Sequence, residues 1–216
     1  FILDAEEIER RNLPWSCFRP ALPSPRYVNA DEVQADDEGR PLLDRRPFLL
    51  DPPYPEEEIR ECFPSLWSYL EEGKAQGIHE GYLCRHRPVW YAQENRSRAP
   101  IVCTYFGRSD SKVGRPFRFI RNHSQATVTN VYLAMYPTPA LGRALHEDPE
   151  LLRRIWQALN RLQPADLLGE GRVYGGGLHK LEPKELANVP VSEIAGLLPT
   201  EYREIAATQA ELFEDT

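Results

Sequence analysis

The 216-residue sequence contains no apolar run approaching the roughly 18–20 residues that span a bilayer as a helix. Its opening, Phe1-Ile2-Leu3-Asp4, also lacks a basic region followed by an apolar stretch, so no secretory leader is suggested and a cytoplasmic location, away from membranes, is expected. The four cysteines, Cys17, Cys62, Cys84 and Cys103, form no CxxC pair, which suggests neither a zinc knuckle nor a disulfide framework; reduced, buried thiols are expected. Cys84, His86 and Cys103 match no closed metal-site spacing, and no metal is expected. Without a secretory signal the sequons Asn95-Arg96-Ser97 and Asn122-His123-Ser124 carry no weight. Internal repeats are missing as well, and so is the regular strand–helix alternation that builds a parallel sheet.

What is present is a 41% hydrophobic content, sufficient for a packed core, and 20 prolines, which point to many short elements joined by stiff connections. Asp4 with Glu7 three positions on predicts a short helix over 4–11. Pro55 and the acids Glu56 to Glu58 predict a helix over 55–73, with Ile59, Cys62, Phe63, Leu66, Trp67 and Leu70 on one face, a break at Pro64 and a stop at Gly73. From 82 to 136 short runs rich in Val, Thr, Ile and aromatics read as strands. Asp148 and Pro149 predict a helix start, with Leu151, Leu152, Ile155, Trp156, Leu159 and Leu162 on one stripe until Pro164. A Gly-rich hairpin at 171–183 and a helical region over about 192–213 complete the chain. The expected fold class is α+β: a central strand-rich, largely antiparallel region flanked by helices, with a helical C-terminal end. Three lobes are conceivable within it, 1–81 helical and loop-rich, 82–146 strand-rich and basic, and 147–216 helical with the hairpin.

Acidic residues are scarce in the middle of the chain. The overall formal charge is -7, yet residues 85–123 hold nine basic side chains against Glu94 and Asp110, a local +7. Eight of the nine are Arg, interleaved with Trp90, Tyr91, Tyr105, Phe106, Phe117 and Phe119. Arg presents a planar fork that grips phosphate or the guanine edge with two bonds, so the block suits DNA. The competing reading pairs these arginines with the acidic flanks in ion pairs of little worth each. Within the block, Arg85, Arg87, Arg96, Arg98, Arg108, Arg115, Arg118 and Arg121 are candidate DNA contacts, while Asn122 and Gln125 are the types that read adenine through two bonds. Alternation in FRFIR puts Phe117, Phe119 and Arg121 on one face and Arg118 and Ile120 on the other; Phe117 and Phe119 are expected in the core and Arg118 exposed. Trp90 and Tyr91 read as buried packing in preference to base stacking.

Residues 51–54, Asp-Pro-Pro-Tyr, follow the strand-like Phe48-Leu49-Leu50 and match the turn with which amino-methyltransferases hold a flipped-out base. On that reading the chain would be a compact enzyme using Asp51 and Tyr54. The remaining machinery is absent: Gly169-Glu170-Gly171 and Gly175-Gly176-Gly177 lie in no βαβ pattern that could admit S-adenosylmethionine. The tetrapeptide is equally explained as a turn before the helix at 55, so no catalytic residue is assigned.

Residues 171–191, GRVYGGGLHKLEPKELANVPV, resemble the signature that closes the target-recognition domain of TaqI-like N6-adenine DNA methyltransferases of restriction-modification systems. FILDAEEIERRNLP, RPALPSPRYV, LWSYLEEG, RHRPVWY, API…YFGR and FRFIRNHSQATVTNVYLAMYP agree in order, so the resemblance covers nearly the whole chain. It implies that 1–216 is a specificity domain holding double-stranded DNA for a methyltransferase domain in cis. That domain would precede Phe1 and bind the S-adenosylmethionine, with no cofactor in this chain; a restriction nuclease is a further possible component. A chain opening at Phe1 without Met is expected to continue such a partner segment. Gly175, Gly176 and Gly177, which bring backbone close to a phosphate, and the donors His179 and Lys180 join the candidate contacts, although a tight turn packed under Tyr174 and Leu178 explains the glycines as well. An interaction subunit without enzymology is the remaining alternative.

Overall fold

The computed structural model describes residues 1–108, 115–163, 165–167, 172–174, 178–190, 192–199 and 213–214, with side chains at all of these except 108, 172–174 and 213–214. Strand β1 (Ile2–Leu3) leads into α1 (Ala5–Arg10), where the Asp4 carboxylate accepts the Glu7 amide at 2.9 Å as the capping pattern predicts. Next come β2 (Phe18–Pro20), β3 (Glu32–Val33) and β4 (Phe48–Leu50), and β1, β4 and β2 make an antiparallel sheet in that order. The long acidic run becomes two helices, α2 (Glu56–Cys62) and α3 (Pro64–Ala75). Pro64 causes the split, because it lacks an amide for the helical ladder and forces Phe63 out of helical geometry at φ -129°, ψ 68°. Leu3, Ile8, Leu13, Cys17, Leu50, Ile59, Leu66, Leu70 and Tyr91 form one buried core; Cys62, expected on the buried face, is instead exposed at the end of α2, while the other three thiols are buried.

Gly73 is not the stop that its position in the sequence suggests. Helix α3 runs through it, and the Trp90 ring occupies the space a side chain would need: a Cβ there would lie 3.1 Å from Trp90 Cη2. The helix ends instead before Gly77, which takes a left-handed conformation at φ 73°. Asp51 pairs with Arg19 at 3.3 Å, and Tyr54 packs on Phe63 with ring centroids 4.8 Å apart. The Asp-Pro-Pro-Tyr segment is thus a turn feeding α2.

After α4 (Tyr82–Arg85) the chain builds β5 (Ile101–Thr104), β6 (Phe106–Arg108), β7 (Phe119–Asn122) and β8 (Tyr132–Pro137). It continues through α5 (Pro139–Glu147), α6 (Leu151–Leu159), β9 (Arg172–Tyr174), β10 (Leu178–Lys180), α7 (Pro183–Ala187), α8 (Ser192–Ala195) and β11 (Phe213–Glu214). The five-stranded sheet runs β11-β8-β5-β7-β3, antiparallel except where β3 lies parallel to β7. Period-two alternation gives it two buried faces. Ile101, Cys103, Phe119, Leu133 and Met135 face the helices α5 and α6, whereas Val102, Ile120 and Tyr132 face Leu22, Val28, Val33 and Ala126. Phe117 and Phe119 are in the core as expected, and Ile120 is equally buried, because the N-terminal excursion 21–33 covers the second face. The α+β class expected from the sequence is the class observed.

Helix α5 was not legible as a helix, although Thr138 caps it, Pro139 opens it and Leu141 and Ala144 are buried. Helix α6 starts at Leu151, later than Asp148 and Pro149 imply, since Asp148 closes α5 and pairs with Arg154 at 2.5 Å. Trp156 and Asn160 donate to the Phe119 carbonyl at 2.9 and 3.0 Å, fastening the helix layer to β7. Strands β6, β10 and β9 form a third sheet containing the predicted hairpin, with Leu178 opposite Tyr174. From 200 to 212 the predicted final helix lies outside the described residues, and at its expected end Phe213 stands in β11 instead.

Candidate nucleic-acid interface

The predicted contacts divide by what their side chains touch. Arg118 is the most committed. Its guanidinium bonds Asp31 Oδ1 at 2.7 Å and donates to the Val28 and Ala30 carbonyls at 2.7 and 2.8 Å, leaving only 15% of the side chain exposed. Arg115 meets the other oxygen of Asp31 at 2.5 Å and the Asn160 carbonyl at 3.1 Å. Arg121 and His123 share Glu32 at 3.3 and 2.8 Å. The expectation of an exposed Arg118 is therefore corrected: segment 28–32, arriving from far away in sequence, brings two carboxylates to β7. For these three arginines the acidic-flank reading describes the geometry.

Asn122 is 1% exposed; it donates to the Ala99 carbonyl at 3.2 Å and accepts from the Ser124 amide and hydroxyl at 3.1 and 2.7 Å. Its amide closes a turn inside the core, because β7 turns Asn122 to the same buried face as Ile120. In this conformation it has no edge to offer a base. His179 is also buried, at 6% exposure, on β10 between β6 and β9. Lys180 pairs with Glu182 and sits 5.0 Å over the Tyr105 ring, and the two bonds raise its pKa above the ordinary lysine value.

Other candidates face solvent. Arg85 is exposed and Arg87 partly so, and neither has an ion pair among the described residues. They flank the end of α4, where Tyr82 and Leu83 stand 71% and 65% exposed and Ile78 lies nearby at 45%. The His86 ring packs on Tyr82 with centroids 4.3 Å apart. Arg96 pairs with Glu94 at 2.5 Å, and among the described residues Arg98 reaches only the His123 carbonyl, at 3.3 Å. Gln125 is exposed; its backbone amide bonds Gly39 at 2.7 Å, and its side-chain amide has no partner among the described residues. Gly175, Gly176, Gly177 and the Arg108 side chain lie outside the described residues.

A further basic group, Arg26, Arg45 and Arg46, escaped the sequence reading because it sits in the acidic first third. Arg26 and Arg45 both stack on Tyr27, with guanidinium carbons 4.6 and 4.4 Å from the ring centroid. The available signal was arginine next to proline in two places, Pro25-Arg26-Tyr27 and Arg45-Arg46-Pro47; segment-averaged charge hid it.

Among the described residues no group of three or more His, Cys, Asp or Glu could hold a metal ion, and no helix is long and apolar enough to cross a membrane. Residues 1–212 match the family described as "Type II methyltransferase M.Eco57I, C-terminal domain", and the chain belongs to that family. It is 30% identical over 130 residues to Type II methyltransferase M.XamI of Xanthomonas campestris pv. amaranthicola, covering 60% of this chain and 22% of that protein. It is also 30% identical over 122 residues to Type II methyltransferase M.AccI of Acinetobacter calcoaceticus, covering 56% and 21%. The matched part is thus about a fifth of each relative's length. No solved structure matches the chain.

Proposed function

We propose that this chain is the DNA-contacting specificity domain of a type II DNA methyltransferase of the TaqI-like, N6-adenine class. In this reading it holds duplex DNA for an S-adenosylmethionine-binding methyltransferase domain in cis, and it carries no catalytic residue. The observation that supports it within the family is the exposed segment 78–87. Two guanidinium groups without carboxylate partners among the described residues, Arg85 and Arg87, stand beside the solvent-facing Tyr82 and Leu83. Free arginines neutralise phosphates, and protruding aromatic or aliphatic side chains are the kind that wedge against base steps. Arg98 and Gln125 extend the contact set, whereas Arg115, Arg118, Arg121 and Asn122 serve the scaffold.

Fluorescence anisotropy with labelled duplex across a salt series tests the reading. Arg85→Ala/Arg87→Ala should flatten the plot of log affinity against log salt by about 2, near 0.9 for each phosphate that is no longer neutralised. A chain with no duplex affinity at low salt, or a double variant with the original slope, defeats it.

A further inference from the structure

We infer that Arg26, Tyr27 and Arg45 form a second phosphodiester-binding site, on the N-terminal part of the molecule and built from segments outside the basic block. The inference rests on the DNA-contacting reading above. Two anchored segments create the site. Tyr27 ends a 3-10 turn, Pro25–Tyr27, closed by the Tyr27 amide on the Ser24 carbonyl at 2.9 Å, and the next residue, Val28, is 1% exposed in the core. Arg45 approaches from the connection before β4, where the Pro47 carbonyl accepts the Ala21 amide at 2.9 Å. Both arginines are exposed while Tyr27 is partly buried, so the ring is the fixed element and the guanidinium groups lie on it.

The arrangement leaves donor edges open. With their carbons 4.6 and 4.4 Å from one centroid, the two cations stand at most about 9 Å apart, those distances laid end to end. Neither has an ion pair among the described residues, nor has the exposed Arg46, although Asp4, Glu6, Glu38 and Asp44 line the same surface concavity as Arg45 and Arg46. Stacking occupies the face of a guanidinium and leaves its in-plane N–H edges open, the edges that bind a phosphate with two bonds. Like charges held this close repel unless an anion lies between or across them. A phosphodiester on either edge answers both features: it sets a negative charge against the two cations and takes their open donors.

The test compares Arg26→Ala/Arg45→Ala with the unmodified chain and with Arg85→Ala/Arg87→Ala, using one labelled duplex over a salt series. Melting curves first establish that each variant is folded. At 0.1 M salt the Arg26/Arg45 variant should bind at least roughly tenfold more weakly, with a slope shallower by about 2. Replacing both by lysine should recover the slope and only part of the affinity, since lysine keeps the charge without the planar fork. Unchanged affinity and slope in the alanine variant, while Arg85→Ala/Arg87→Ala loses both, overturns this site alone. Full recovery by lysine overturns the stacked-fork geometry. No duplex binding by the unmodified chain overturns the DNA-contacting reading and this site with it.

Discussion

Asp31 is the residue whose removal most directly separates structural arginines from those proposed to contact DNA. Its two carboxylate oxygens each hold a guanidinium, Arg115 at 2.5 Å and Arg118 at 2.7 Å, and its backbone carbonyl accepts the Arg121 amide at 2.9 Å. Side-chain exposures of 24%, 24% and 15% place the cluster well below full solvent screening. A hydrogen bond to a charged group contributes about 1.5–3 kcal/mol, and breaking a fully buried pair costs about 3–5. For this mostly covered hub, still partly screened by solvent, Asp31→Ala should cost about 2–3 kcal/mol. At about 2–4 °C per kcal/mol for a domain of this size, the melting temperature should fall by about 4–12 °C. Urea denaturation should show the midpoint lower by about 1 M for a slope in the upper part of the usual 1–3 kcal/mol/M range. Arg118→Ala should be non-additive with it by about 1–2 kcal/mol, since the two side chains share one bond network. In duplex binding, Asp31→Ala should gain no more than a few-fold, the effect of removing one negative charge. A melting shift below about 1 °C would refute the structural role, and a gain above about tenfold in DNA affinity would mean that Arg115 and Arg118 belong to the interface.

Gly77→Ala should destabilise by about 1–2 kcal/mol, because φ 73° strains an L side chain although the space is open; Gly142→Ala, inside α5 with no atom within 4 Å of the new Cβ, should stabilise by about 0.5–1 kcal/mol. Thermal melts of the two variants check this, and shifts of the same sign would contradict it. Gly107→Ala would set its Cβ on the Pro116 carbonyl and should lower stability by about 1–3 kcal/mol by forcing β6 away, as circular dichroism melts would report. Burial raises the Tyr132 phenol above its ordinary value of 10.0, and its hydroxyl donates to the Pro23 carbonyl at 2.7 Å. The unfolded chain therefore ionises first, and stability should fall as pH rises past about 10, with Tyr132→Phe flattening that decline. Exposed Cys62 should react at once with a thiol reagent, whereas Cys103, fully buried with its thiol pKa pushed up, should react only on unfolding.

Local signals in the chain carried much of the architecture. The Asp4 cap, the break at Pro64, the strands around Ile101, Phe119 and Leu133 and the hairpin at Leu178 each depend on a few neighbouring residues, so composition and spacing reveal them. Strand β3 is only two residues long and pairs in parallel with a partner almost ninety positions away, which no local pattern encodes. Gly73 looked like a stop because a helix-breaking residue usually is one; its role depends on Trp90 arriving from the following loop.

For the candidate interface the division is sharper. Residue type told which side chains can grip a phosphate or a base, and that property belongs to Arg118 and Asn122 wherever they stand. Tertiary structure decided which of them are available. It brought Asp31 and Glu32 to Arg115, Arg118 and Arg121, enclosed Asn122, and left Arg85, Arg87 and Gln125 outward. It also assembled Arg26 and Arg45 on Tyr27 from two segments that charge counting assigns to an acidic region. The reason is that donor chemistry resides in the single residue, whereas desolvation and pairing are properties of neighbours, and neighbours far apart in the chain exist only once it has folded.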